Sequence, residues 1–304
     1  MEYQKETFQR FLGTGTELTI SYKHDGSIDH DAIAHMVAWQ AEHNVRYIFV
    51  NGISSECYMM TPQEQISLVT TMCRATKKNG MRAMCNLMIP AWRDAVQMVK
   101  RYEDAGADAV CITPPYLASY HEQALTEYFQ AVIEATKLPV YIYNAPQTGN
   151  LLSPSFIAKM ANQYPHVRGY KDSTQSVVHL ETLMGLVNDP EFDYIAGSDS
   201  TIFTTLALGG AGIISFISIA FPQPIIDICD AFFAGQYEKA RKAQMFVMKI
   251  RDVLRKGGNS AGYKYASELM GCPIRGSRYP DSLLILPDSL KQEIHTDLAK
   301  LGLL

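Results

Sequence analysis

The sequence predicts an α/β fold, a (β/α)8 TIM barrel followed by a C-terminal helical region. Two observations carry this. Short β-branched or apolar runs alternate eight times with longer stretches of helical period, the pattern of parallel strands joined by helical crossovers. After Gly235 the strand signal stops and only helical period remains. Residues 1–235 therefore read as the barrel and 236–304 as a helical region packed on it, since no Pro/Ser-rich linker separates them.

The first unit pairs a strand at Glu17–Tyr22 with a helix at Asp31–His43, which Asp29 precedes as an N-cap. The second pairs Arg46–Val50 with Pro62–Lys78, where Thr61-Pro62 sets a cap followed by proline at the first helical position. Strands at Arg82–Met88 and Ala109–Thr113 lead to helices at Trp92–Ala105 and Glu122–Thr136, with Gly80 and Gly106 falling where helices stop. Val140–Asn144 is followed by Pro154–Tyr164, again opened by Ser153-Pro154. Val167–Lys171, Tyr194–Gly197 and Gly212–Phe216 complete the strands, with helices at Ser176–Val187, Ser200–Leu208 and Pro222–Phe233. Gln236–Lys256, Ala261–Met270 and Asp288–Lys300 form the terminal helices.

Composition excludes several classes. A hydrophobic fraction of 47% over 304 residues supports a sizeable core and excludes a disordered chain. A net charge of −4 gives no basic face for nucleic acid. The six cysteines are scattered without a CxxC pair and read as reduced, buried thiols. Met1–Thr7 carries no apolar signal region, and the most apolar stretch, Ala211–Phe221, is too short to span a bilayer. The expectation is a cytoplasmic protein that engages no membrane.

In such a barrel, chemistry sits where strands end at the C-terminal face. The sixth strand ends in Lys171, which shares a face with Val167 and Gly169. An ammonium inside a barrel is costly unless it is paired or deprotonated. The adjacent Asp172 points to the opposite face, so a lysine kept neutral is the reading preferred here. With an ordinary pKa near 10.4, roughly one amine in a few thousand is neutral at pH 7. A dry barrel that lowers the pKa to ~7–8 would disfavour the ammonium by roughly 3–5 kcal/mol and leave a nucleophile able to form a Schiff base with a ketone. Tyr143 ends the neighbouring strand and can shuttle protons. The turn from Asn51 through Gly52, Ile53, Ser54 and Ser55 to Glu56 offers hydroxyls and free N–H groups that suit a carboxylate. Tyr116 is presented by a rigid Thr113-Pro-Pro turn, and Asp199 and Ser200 can bond hydroxyls or cap the next helix. No His/Asp cluster or HxxH pair stands at a strand end, so no metal is expected.

These residues together resemble the dihydrodipicolinate synthase / N-acetylneuraminate lyase family of pyruvate-type class I aldolases. The cues are Asp25-Gly-Ser-Ile-Asp29, Gly52-x-x-x-Glu56, Thr113-Pro-Pro-Tyr116, Tyr143-Asn-Ala-Pro146, Tyr170-Lys-Asp-Ser173, Gly197-x-Asp199 and Gly212-Ile-Ile-Ser215. The resemblance implies that Lys171 forms the Schiff base and Tyr143 relays the proton. It implies that Ser54, with Ser55 beside it, holds the pyruvate carboxylate and that Ile214 lines the pyruvate pocket. Tyr116 matches a relay tyrosine that reaches across a dimer interface. Ser173, Gly197, Asp199 and Ser200 match contacts to a hydroxylated tail. The family fold is a barrel with terminal helices, assembled as a homo-oligomer, dimer or tetramer, and needs no cofactor.

Two departures refine this. The usual Gly-Thr-Thr-Gly-Glu has lost its first hydroxyl at Ile53, and Gln147-Thr-Gly149 lacks the arginine that synthases use for a second carboxylate. The Lys171–Leu180 stretch is closer to the 2-keto-3-deoxy-sugar-acid aldolases. The expected activity is reversible cleavage of a 2-keto-3-deoxy acid to pyruvate and an aldehyde. A dehydratase or pyruvate-condensing synthase stands as the alternative, and a non-catalytic sugar-acid binding protein as a more distant one.

Overall fold

A computed structural model describes residues 9–258, 260–272, 274, 276–278 and 285–304; the segment Met1–Thr7 read above lies outside them. Eight parallel strands close into a barrel in chain order. They are β1 (Gly13–Glu17), β2 (Tyr47–Val50), β3 (Arg82–Leu87), β4 (Ala109–Ile112), β5 (Val140–Asn144), β6 (Val167–Asp172), β7 (Asp193–Ala196) and β8 (Gly212–Ser215). β8 returns to β1 in the register Gly13↔Gly212 through Thr16↔Ser215. Helices α1 (His30–Glu42), α2 (Pro62–Lys78), α3 (Trp92–Asp104), α4 (Glu122–Ile133), α5 (Pro154–Gln163), α6 (Val177–Met184), α7 (Ile202–Ala207) and α8 (Pro222–Phe233) form the crossovers and outer ring. Three helices follow, α9 (Tyr237–Arg255), α10 (Ala261–Leu269) and α11 (Asp288–Lys300).

The caps form as the sequence suggests. Asp29 accepts from the Ala32 N–H, Ser153 accepts from Phe156 N–H, and Thr61 forms a reciprocal capping box with Glu64.

The first strand is the one element the sequence misplaces. It was expected at Glu17–Tyr22 and stands at Gly13–Glu17, a run without one apolar side chain. Alternation turns Gly13, Gly15 and Glu17 to one face. Gly15 is required by close approach, because a Cβ there would lie 2.2 Å from the Tyr47 ring. Leu18, Ile20 and Tyr22 are buried in the core all the same, so their hydrophobicity reports packing of a connecting segment, not a strand.

The core has two layers. Strand residues facing outward pack with the helices, and a smaller set fills the barrel itself, including Phe11, Tyr47, Phe49, Tyr141, Tyr143 and Ile214. At the floor, Asp193 accepts from the Tyr141 hydroxyl at 2.6 Å, Arg10 Nε at 2.7 Å and the Phe11 N–H at 3.2 Å. Asp193→Ala leaves these donors without their acceptor and is expected to destabilise the protein by roughly 3 kcal/mol. Urea denaturation checks this as a lower midpoint at unchanged slope.

The turn after β2 is tied to the terminal region. Glu56 accepts from Lys264 Nζ of α10 at 2.8 Å, from Ser277 Oγ at 2.8 Å and from the Arg278 N–H at 2.7 Å. All six cysteines are buried and unpaired. Among the described residues no helix is long and apolar enough to cross a membrane, and no group of three or more His, Cys, Asp or Glu is placed to hold a metal.

Candidate active site

Lys171 and Tyr143 stand directly opposite each other in the β5–β6 register. Both side chains enter the barrel, where Lys171 is fully buried and Tyr143 is 3% exposed. Gly169, two residues before the lysine on the same face, leaves room for the Tyr141 ring. The ammonium lies 3.6 Å from the Phe49 ring centroid and 4.0 Å from that of Tyr143, both in cation–π range. Those two rings meet edge to face.

The expectation of a neutral lysine is corrected by what else touches it. Nζ donates to Glu17 Oε2 at 3.1 Å, across the barrel from β1. Asp172, as alternation requires, is turned away and accepts from the Thr174 N–H and hydroxyl. Burial is the largest influence on Lys171 and acts against the ammonium. The Glu17 carboxylate and its hydrogen bond, with smaller pulls from Tyr143 and Cys111, outweigh it and raise the lysine pKa. The resting amine is thus held charged.

Glu17 also reaches the turn after β2. Its Oε1 accepts from the Ser54 N–H at 2.7 Å. The turn is two short 3-10 segments, Ile53–Ser55 and Cys57–Met59, hinged at Glu56 with φ of 60°. Gly52 admits the glutamate: a Cβ there would fall 2.2 Å from Oε1. Ser55, expected at the substrate, instead donates its hydroxyl to the Gly52 carbonyl at 2.6 Å and closes the turn.

Burial pushes the Tyr143 phenol up, against the pull of Lys171 and of the Ser173 hydroxyl, which donates to it at 3.5 Å. At neutral pH Tyr143 is a phenol. Ser173 also donates to the Gly197 carbonyl, and Gly197 has no side chain because Ser173 Oγ would lie 2.3 Å from its Cβ. Burial raises Asp199 as well, although the Ser215 hydroxyl and the Ile217 and Phe216 N–H groups hold its oxygens. Its bonding capacity is thus directed to ordering the segment after β8. Ser200 bonds Ser198 and Gln175 and does not reach the cavity wall.

A cavity of about 280 Å³ is bordered by Glu17 and Tyr143, two of the side chains against the amine, and by Ser54, Ser173, Asp199 and Ile214; Lys171 itself does not line it. Gly197 lines it too, so most of the expected residues converge here. Arg251 and Arg255 of α9 form its far side, and neither is ion-paired among the described residues. A wider groove of about 910 Å³ adjoins it through Ile53 and Ser54 and holds Tyr116, whose phenol burial pushes up. Tyr116 makes no hydrogen bond to Tyr143 in the single chain.

Sequence reasoning missed Glu17 and the two arginines. In the sequence Glu17 reads as the start of a strand, which hides its inward-facing place at a strand end. Arg251 and Arg255 lie on a helix whose polar positions look like any solvated face.

A model of the dihydrodipicolinate synthetase family matches residues 10–300. A 4-hydroxy-tetrahydrodipicolinate synthase of Maridesulfovibrio salexigens is 30% identical over 301 residues, 97% of this chain and 99% of that one. A DapA-like lyase of Halobacterium salinarum is 29% identical, over 96% of this chain and 94% of its own. Among solved structures, YagE, a prophage protein of E. coli K12 in complex with pyruvate, superposes with a TM-score of 0.90 at 25% identity, over 97% of this chain and 99% of that one. With the match spanning nearly the whole chain and the lysine–tyrosine pair in place, this protein belongs to the dihydrodipicolinate synthetase family and is a class I, Schiff-base aldolase or lyase.

Proposed function

We propose that the protein reversibly cleaves a 2-keto-3-deoxy acid, of the sugar-acid type, to pyruvate and an aldehyde. The observation that carries this is the Lys171 amine set 4.0 Å from the Tyr143 ring at the ends of adjacent strands, beside a cavity. The amine attacks the C2 ketone and water leaves, giving an iminium at C2. The Tyr143 phenol gives its proton to the departing hydroxyl, and when the C3–C4 bond breaks its electrons flow into the iminium to give an enamine while the C4 hydroxyl proton returns to the Tyr143 oxygen. Protonation at C3 and hydrolysis then return pyruvate and the amine.

Several features support the reading. Arg251 and Arg255 give the cavity positive charge for an anionic substrate. The Ser54 N–H already holds a carboxylate, that of Glu17. Ser173, Ser198 and Gln175 border the cavity with groups that bond hydroxyls of a tail. Tyr116 and the almost fully exposed Leu117 stand at a surface suited to a second subunit, and we extend the proposal to a homo-oligomer, dimer or tetramer. Six free buried thiols fit a cytoplasmic setting.

Turnover of a panel of 2-keto-3-deoxy acids of increasing length, read as pyruvate release, tests the substrate class. At least one is expected to release pyruvate with a matching aldehyde; release from none contradicts the reading. A second reading, a synthase that condenses pyruvate with an electrophile other than a sugar-type aldehyde, is favoured by the names of the curated relatives. Product analysis with pyruvate and added aldehydes separates the two.

The raised lysine predicts a pH dependence. Its amine fraction grows toward alkaline pH, so the rate of adduct formation at limiting pyruvate is expected to climb from about pH 6 to about pH 9. A plateau from neutral pH upward contradicts this. By linkage, a lysine raised on folding stabilises the protein below its unfolded pKa, and that contribution is lost as pH rises through the folded value.

A further inference from the structure

One carboxylate spans the two groups a keto acid needs. Glu17 Oε2 is on the Lys171 amine and Oε1 is on the Ser54 N–H. A 2-keto acid bound as an imine at Nζ carries its carboxylate on the carbon attached to that nitrogen. The carboxylate therefore falls in the space between Nζ and the donors beside it, where Glu17 now lies. Lys171 has no exposed surface, and Glu17 is one of the two groups against it that border the cavity. Gly52 leaves the volume for the glutamate free of any side chain. Two carboxylates cannot share one cation in a dry pocket without one of them taking a proton or leaving.

We propose that Glu17 is a specificity-determining residue, a resident carboxylate that a 2-keto acid must displace from Ser54 before Lys171 can form its imine. This rests on the lysine–imine reading above and extends it. Nζ gives up its proton to solvent before it attacks, which removes the charge that holds Oε2 beside it. The incoming anion then takes the Ser54 N–H, and the Glu17 side chain turns toward the cavity it borders. A bare keto acid meets this competition with few contacts of its own, whereas a longer substrate brings binding energy from the rest of the cavity. A neutral ketone has no carboxylate to place and does not compete for Ser54.

The test compares pyruvate with hydroxyacetone, a neutral ketone of similar size, as probes trapped on the full-length protein by cyanoborohydride. Initial trapping rates are measured at one pH in wild type, Glu17→Ala and Glu17→Gln. The pyruvate-to-hydroxyacetone ratio is expected to rise about tenfold or more in both variants. A change in lysine protonation moves both probes together and leaves the ratio where it was, so the ratio reports displacement alone. Glu17→Gln, close in volume to the native residue, carries the comparison by itself if Glu17→Ala does not fold. Trapping of both probes with an unchanged or falling ratio overturns the role of Glu17 and leaves the lysine chemistry standing. Trapping of neither probe by any of the three proteins overturns both.

Discussion

Lys171→Ala will lower carbon–carbon cleavage by about 100,000-fold and abolish reductive trapping of pyruvate. The amine is the group that forms the imine, and without it no iminium exists to accept electrons as the bond breaks. No neighbouring group can substitute. Cys111, which shares the interior, is a thiol pushed up to about 12 by burial and is therefore protonated at neutral pH. The variant also strands Glu17 in the interior without its cation, so a lower melting temperature is expected beside the loss of activity. Comparing rates at a temperature where both proteins remain folded isolates the chemical effect. Residual cleavage within tenfold of wild type would remove the lysine from the mechanism.

Tyr143→Phe produces the second largest effect. The ring stays against Nζ and Phe49, so the packing of the site is preserved, and only the hydroxyl is lost. Proton transfer by a positioned side chain contributes roughly 100- to 10,000-fold, and kcat for cleavage is expected to fall by that factor. The pyruvate adduct should still be trapped, more slowly, because the nucleophile remains. Steady-state kinetics beside trapping checks the split. Unchanged kcat contradicts the relay, and loss of trapping to the extent expected of Lys171→Ala would make Tyr143 part of the amine's activation alone.

Much of this site was legible because chemistry and topology agreed. Once the alternation of strands and helices indicated a barrel, a lysine ending the sixth strand and a tyrosine ending the fifth could be placed in its mouth, and both stand in the register expected. Ser54 was legible from its turn, and Ser173, Gly197 and Ile214 from the family resemblance; all four line the cavity. The failures share a cause. β1 is Gly13-Thr-Gly-Thr-Glu17, whose pattern reflects the room left for Tyr47 and not hydrophobic burial, so no periodicity signal marks it. Shifting that strand hid Glu17, and with Glu17 went the state of the lysine. A neutral amine follows from burial alone, but a carboxylate delivered by a strand 154 residues away reverses the balance. Ser55 and Asp199 show a different limit. Their residue types suit ligand contact, yet the Gly52 carbonyl of its own turn claims Ser55, and the Ser215 hydroxyl and the N–H groups after β8 claim Asp199.

The lysine adduct itself provides the most direct measurement. Wild-type protein incubated with pyruvate and borohydride, digested and mapped by mass spectrometry, is predicted to carry the mass of one reduced pyruvate on the peptide containing Lys171 and on no other. Absence of that adduct, or its appearance on a different lysine while Lys171 stays unmodified, would contradict the account.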